Sequence, residues 1–299
     1  MIKKVVFPVG GLGTRFLPAT KSMPKEMLPV NAKPLIQYAF EEAVNAGIEE
    51  FIFITGRNKN TISNHFDHAY ELQTVLDEQD KDDLLAQAKD WLPEAGSIAF
   101  VRQQEPLGLG HAIWCARKFI GQDENFAVIL ADELILSEEP MLKTMIDLHN
   151  EVGGNIIGLS QVNHHDVNRY GIVELNRNTA GSNNINEEQG YYNITKMVEK
   201  PAIADAPSDI AMIGRYIINS DIFKYLKNSS ATIAGEVQLT DNMQKMLSDG
   251  YQFNGLMMQG KRYDCGNRIG FLEANIAYSL ADKNQRNEVM TLLNKLITQ

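Results

Sequence analysis

Five apolar runs recur along the first half of the chain, at Val5 to Val9, Phe51 to Thr55, Ile98 to Gln103, Phe126 to Ala131 and Ile156 to Gln161. Each is short, rich in Val, Ile or Phe and poor in polar residues, the pattern of a strand covered on both faces. Between the runs the apolar positions change to helical spacing. Pro34 to Ala46 has a proline at its start and Gly47 beyond its end, the asymmetry of a helix. Ala112 to Ile120 and Pro140 to Val152 read likewise, the latter stopping at Gly153-Gly154. Strand and helix in alternation predict an α/β architecture with a doubly wound, mixed but mostly parallel sheet flanked by helices, in which ligands sit outside the carboxyl ends of the strands.

The alternation is interrupted twice. Residues 69 to 92 are charged and helical in spacing, a solvated excursion; residues 176 to 190, rich in Asn, Gly and Glu, read as a hairpin tip between strands Gly171 to Leu175 and Tyr192 to Val198. Ala211 to Asn219 reads as a further strand and Val237 to Leu247 as a helix. From Ile269 to the end two helices are expected, the last with Val289, Leu292, Leu293, Leu296 and Ile297 on one stripe that would pack on its own domain or take part in a subunit contact. The expectation is one domain over 1–299, with a helical segment at about 268–299.

Composition adds little until charge is located. A chain of 299 residues, 44% hydrophobic and 22% charged, can bury a substantial core. Its net charge of −10 argues against a nucleic-acid-coating surface. Yet the first 33 residues hold Lys3, Lys4, Arg15, Lys21, Lys25 and Lys33 against the single acid Glu26, a basic spot that suits a small polyanion. Cys115 and Cys265 are too few and too far apart for a disulfide framework or a four-ligand zinc site, and are expected reduced. The start lacks a signal-peptide h-region and no segment approaches the roughly 20 apolar residues of a membrane span, so a cytoplasmic protein with no membrane partner is expected.

The basic spot contains the main chemistry. The first strand runs into Gly10-Gly11-Leu12-Gly13-Thr14-Arg15, and Lys25 follows within Pro24-Lys25-Glu26-Met27-Leu28-Pro29. Glycines let backbone amides crowd against an anion, and Arg15 and Lys25 would add full charges. Two other phosphate loops are excluded by spacing. The dinucleotide fingerprint fails because Gly11 and Gly13 are followed by Phe16, and the P-loop fails because the single Gly-Lys pair, Gly260-Lys261, precedes Arg262. Asp132 follows a strand directly and could hold Mg²⁺, which often needs only one or two carboxylates beside substrate phosphates; Asp264 is a second candidate, and Glu133 could substitute. Glu199-Lys200-Pro201 ends a strand, where the two charges could share a ligand only if the chain bends. Gln103, ahead of Gly108-Leu109-Gly110-His111-Ala112, has the donor pair and acceptor to read a pyrimidine edge. His111 reads as a helix-start residue, and His164 and His165 as structural.

Six motifs taken in order resemble the bacterial UTP–glucose-1-phosphate uridylyltransferases, sugar nucleotidyltransferases: Pro8-Val9-Gly10-Gly11-Leu12-Gly13-Thr14-Arg15, Pro24-Lys25-Glu26-Met27-Leu28-Pro29, Gly108-Leu109-Gly110-His111-Ala112, Val198-Glu199-Lys200-Pro201, Gln238-Leu239-Thr240-Asp241 and Tyr263-Asp264-Cys265-Gly266-Asn267. The resemblance spans nearly the whole chain. It implies a Rossmann-like enzyme that joins UTP and glucose 1-phosphate into UDP-glucose and pyrophosphate. By that likeness Gly10, Gly11, Gly13, Thr14, Glu26, Gln103 and Gly108 would hold the nucleotide, and Arg15 and Lys25 would grip its triphosphate. Asp132 and Asp264 would bind Mg²⁺, while Gly171, Glu199 and Lys200 receive the sugar phosphate, Lys200 also serving catalysis. A homodimer or homotetramer is implied too. The chain departs from the pattern at Gly10, where alanine is usual, at Ala131-Asp132-Glu133, and in the longer 176 to 190 tip. Two alternatives stand beside it: a glucose-1-phosphate thymidylyltransferase, against which Glu26 counts, and a non-catalytic regulatory paralogue, against which the intact Thr14-Arg15 counts.

Overall fold

The structure, a computed structural model, describes residues 1–176, 190–229 and 235–298. In chain order its strands are β1 (Lys4–Val9), β2 (Pro29–Val30), β3 (Lys33–Pro34), β4 (Glu50–Thr55), β5 (Ile98–Arg102), β6 (Asn125–Ile129) and β7 (Glu133–Leu136). They continue as β8 (Asn155–Gln161), β9 (Gly171–Leu175), β10 (Tyr191–Glu199), β11 (Ile210–Asn219), β12 (Phe253–Met257) and β13 (Lys261–Asp264). The helices are α1 (Leu35–Asn45), α2 (Asn60–His65), α3 (Tyr70–Glu78), α4 (Asp82–Lys89), α5 (Leu109–Cys115), α6 (Met141–Val152), α7 (Ile222–Lys227), α8 (Leu239–Ser248), α9 (Arg268–Ala281) and α10 (Arg286–Ile297).

A nine-stranded sheet runs β5-β4-β1-β6-β11-β8-β12-β10-β9. Its first four strands are mutually parallel, the doubly wound half that the alternation predicts. Beyond β6 the expectation of a mostly parallel sheet is corrected. β11 is antiparallel to both β6 and β8, and β10 to both β12 and β9, leaving only β12 and β8 parallel. Parallel neighbours need a long crossover, usually a helix; among the described residues no α-helix separates β8, β9, β10 and β11, so these strands return antiparallel. At the far end Ile172 of β9 also pairs with Ala211 of β11, closing that part of the sheet on itself.

Successive residues of a strand point to opposite faces, and β1 shows the consequence. Val5, Phe7 and Val9 pack with Ile36 and Phe40 of α1 and Leu142 and Met145 of α6. Val6 packs on the other side with Ala112 and Ile113 of α5 and Met243 and Met246 of α8. Burying each such side chain contributes about 1.5–3 kcal/mol, so these two layers, more than helix propensity, hold the elements in place.

A third apolar cluster, Leu28, Val30, Leu35, Leu134, Tyr263, Cys265 and Ala274, fastens α9 over the β2–β3 and β7–β13 ribbons. Phe271 of α9 meets Phe16 edge-on at 5.6 Å, so this helix packs directly beneath the glycine loop. The last helix behaves otherwise. α10 buries no residue fully: Val289 and Leu293 of the stripe are half-buried where the helix meets α9, while Leu292, Leu296 and Ile297 are exposed, so only part of the stripe expected to pack on its own domain or take part in a subunit contact does the former. The charged excursion is the two helices α3 and α4, which bury only Leu76 and Leu85. Of the hairpin tip expected at 176 to 190, residues 177–189 lie outside the described residues.

Candidate active site

The glycine loop leaves the carboxyl end of β1, at the edge where a parallel sheet presents ligands. Gly13 takes φ +65, a left-handed conformation that a side chain would strain, and its carbonyl accepts the Thr20 hydroxyl at 2.7 Å. Gly11, Leu12, Thr14 and Arg15 are exposed, so the loop's outer surface is open to an anion. Lys25 runs beneath it: a Cβ on Gly13 would stand 3.2 Å from Lys25 Cβ, and one on Gly11 3.7 Å from Lys25 Cε. Lys25 Nζ ends 2.5 Å from Asp132 Oδ2, joining the first basic motif to the end of β6. Burial alone would lower the Lys25 pKa, but Asp132 and then Glu26 outweigh it and the net direction is upward. Asp132 is the converse: burial pushes its carboxyl up, the Lys25 ammonium pulls harder, and it lies below its ordinary value.

The turn that carries Asp132 is braced from behind. Arg215 of β11, 1% exposed, donates to Glu42 of α1 at 2.7 to 3.1 Å. The same guanidinium donates to Leu130 O at 3.2 Å and Glu133 O at 2.9 Å, one on each side of Asp132. Sequence reasoning passed over this residue; the available signal is a lone charge inside the apolar run of β11.

Asp264 arrives from the other direction, at the end of β13, which pairs with β7 so that Asp264 lies opposite Glu133. Its Oδ1 accepts the Gly266 amide at 2.9 Å and its Oδ2 faces Arg169 Nη2 at 3.2 Å. Gly266 marks the meeting point. A Cβ there would stand 2.9 Å from Asp264 Oδ1, 3.1 Å from Asp132 Oδ2 and 3.7 Å from Arg15 Nη1. Arg268, at the start of α9, donates to Arg15 O at 3.1 Å and Leu17 O at 3.0 Å, so helix and loop share one anchor. Two convergent carboxylates supply hard oxygen donors of the kind that suits Mg²⁺. Among the described residues no group of three or more His, Cys, Asp or Glu could hold a metal, so substrate oxygens and water would complete its shell. Glu133, the substitute ligand, is engaged elsewhere, with its Oε2 2.7 Å from Arg262 Nε, out of line for a hydrogen bond. The neighbouring Cys265 is a free, buried thiol, pushed up to about 12 by burial and poorly reactive.

On the opposite flank of the loop, Gln103 is 6% exposed and donates from Nε2 to Gly108 O at 3.1 Å. Gly108 has φ +91, and a Cβ would stand 2.9 Å from Glu236 Cβ, so that position excludes a side chain. Glu26 is 1% exposed and pairs with Lys59 at 2.7 Å, while its Oε1 is buried without a hydrogen-bond partner among the described residues. Burial lifts its carboxyl above the usual range, against the pull of Lys59 and Lys25. Lys59 is a residue that sequence reasoning missed; it sits in the polar loop after β4, at the same carboxyl edge.

Glu199 and Lys200 meet the condition set for them. Lys200 has φ +44, so the chain bends at that residue, and the two charges lie 3.3 Å apart. Glu199 Oε2 accepts the Thr240 hydroxyl at 2.6 Å, and a Cβ on Gly171 would stand 3.2 Å from that same oxygen, which places the three residues together. The Lys200 amide donates to Tyr170 O at 2.9 Å, and Arg169, next in line, reaches Asp264, linking this group to the carboxylates. A cavity of about 620 Å³ opens beside them, lined by Arg169, Tyr170, Asp264 and Asn267 among others. No helix among the described residues is long and apolar enough to cross a membrane.

A profile of the nucleotidyl transferase family matches residues 4–280, and the chain belongs to that family. It is 43% identical over 300 residues to UTP–glucose-1-phosphate uridylyltransferase 1 of Staphylococcus saprophyticus, covering 99% of each chain, and 42% identical to the Bacillus subtilis uridylyltransferase, covering 100% of this chain and 98% of that one. Within the family it therefore belongs with the UTP–glucose-1-phosphate uridylyltransferases. A UTP-bound UDP-glucose pyrophosphorylase of Acinetobacter baumannii superposes with a TM-score of 0.87 at 39% identity. A UDP-glucose pyrophosphorylase complexed with UDP-glucose superposes at 0.82 and 40%, covering 94% of this chain and 100% of that one. A glucose-1-phosphate thymidylyltransferase from Bacillus anthracis, at 0.67 and 23%, shares the fold.

Proposed function

We infer that the protein converts UTP and α-D-glucose 1-phosphate into UDP-glucose and pyrophosphate, with the residues around Gly266 as its reacting centre. The observation that supports this most is the convergence of Arg15, Lys25, Asp132 and Asp264 at that glycine, in a chain that matches uridylyltransferases from end to end. A phosphate oxygen of the sugar attacks the α-phosphorus of UTP as the bond to the β-phosphate oxygen breaks, and that oxygen leaves with pyrophosphate. The nucleophile is already an anion, so no general base is required and the protein's work is positioning and charge neutralisation.

The glycine loop amides, Arg15 and Lys25 hold the triphosphate and offset charge that builds on the leaving pyrophosphate. Gln103, Gly108, Gly10 and Glu26 hold the uridine. Glu199 and Thr240 take sugar hydroxyls, and Lys200, bent out of the strand, meets the sugar phosphate. Asp132 and Asp264 are the residues that would hold Mg²⁺, which when bound would add positive charge at the phosphate oxygens.

Pyrophosphate release measured with glucose 1-phosphate and either UTP or dTTP tests the reading directly. Turnover is expected with UTP, faster than with dTTP, and to vanish on chelation and return with added magnesium. No release from UTP, or release untouched by chelation, refutes it.

A further inference from the structure

One hydrogen-bond chain beside the glycine loop can be read in one direction only, because a backbone carbonyl is among its members. The same Gln103 amide atom lies 3.1 Å from Gly108 O and 3.1 Å from His111 Nδ1. A backbone carbonyl only accepts, so that atom is Nε2 and not the oxygen. Both Nε2 hydrogens are then directed at acceptors, which makes His111 Nδ1 the second acceptor and puts the ring's proton on its own Nε2. Gln103 Oε1 is turned to the loop, where a Cβ on Gly10 would stand 2.5 Å from it. The missing side chain leaves room for that orientation. Among the described residues Oε1 accepts no hydrogen bond, so it remains an acceptor available to a ligand.

We propose that His111 is a positioning residue that determines base specificity: by accepting the second hydrogen of Gln103 it leaves this amide able to offer a nucleobase an acceptor and no donor. That polarity complements the N3–H of uracil. It opposes cytosine, whose N3 is itself an acceptor at the same place. A residue that failed to accept at the Nδ1 position would leave Gly108 O as the one group holding the amide's orientation, so that the amide could turn and present Nε2–H to cytosine N3. One that donated there would turn the amide over and take Nε2 away from Gly108 O. The proposal rests on the reading of Gln103 as a base-contacting residue, and the alternative is that His111 merely closes the loop before α5.

The test is kcat/KM for UTP and for CTP, each with glucose 1-phosphate, in the parent, His111→Leu, His111→Asn and Gln103→Leu. His111→Leu is expected to cut the UTP-to-CTP ratio by about tenfold or more, within the range that one base-reading hydrogen-bond pair contributes to discrimination, with KM for UTP rising more than kcat falls. His111→Asn, whose side-chain oxygen can accept near the same point, is expected to restore most of the ratio. An equal loss for both nucleotides in His111→Leu, or no recovery in His111→Asn, overturns the proposal. Should His111→Leu prove insoluble, His111→Ala carries the same expectation. Gln103→Leu separates the two failures: an unchanged ratio there sinks the base-contact reading itself, whereas a ratio that falls in Gln103→Leu and holds in His111→Leu sinks only the role of His111.

Discussion

Lys25 serves two ends at once. It ion-pairs with Asp132 at 2.5 Å and fills the space under Gly11 and Gly13. Its pKa is raised despite burial, because Asp132 and Glu26 outweigh desolvation, so the ammonium stays charged at neutral pH. A triphosphate on the loop meets that charge at once, and nothing has to reorganise to supply it. Lys25→Ala should lower turnover by on the order of 100-fold or more, comparable to losing a preorganised charge-stabilising donor. Steady-state pyrophosphate release, with a thermal melt to establish folding, checks this; a folded variant within a few-fold of the parent rate would contradict it.

At the level of elements, the turn between β6 and β7 depends on a strand remote in sequence. Arg215 and Glu42, with side chains 1% and 12% exposed, form a pair that cannot lose one member cheaply. Removing a single partner of a buried pair typically costs about 3–5 kcal/mol, whereas replacing both with apolar residues is often near neutral. Arg215→Met should therefore destabilise the protein by about 3–5 kcal/mol in urea unfolding, and Arg215→Met with Glu42→Leu should recover most of that. Activity should stay low in the double variant, since Leu130 O and Glu133 O still lack their donor and Asp132 loses its frame. Recovery of stability and turnover together would show that the pair is scaffolding only.

For the whole molecule, the surface to consider for assembly is the outer face of α10. Its exposed Leu292, Leu296 and Ile297 form an apolar edge that costs free energy in water, which is where the subunit contact expected from the sequence would form. Leu296→Glu with Ile297→Glu should reduce the sedimenting mass toward that of one 33.5 kDa chain. An unchanged mass places the subunit contact elsewhere. The acidic net charge and the basic loop also set a field in which polyanions are drawn to one place, so added salt should weaken UTP binding.

Local pattern alone determined most of the elements and the candidate residues at the sheet's carboxyl edge. Strands such as Phe51 to Thr55, observed at Glu50–Thr55, are legible because period and apolar content are properties of a few neighbouring residues. That Arg15, Lys25 and Asp132 stand at the carboxyl edge of the sheet was legible for a related reason: a glycine loop and a strand end declare their position through adjacent sequence. Strand direction beyond β6 was not legible, because it depends on which strands become neighbours. Nor were Lys59, Thr240 and Arg268, or the part taken by Arg215. Each acts through a contact with Glu26, Glu199, the glycine loop or the Asp132 turn, and such contacts exist only after the chain has folded.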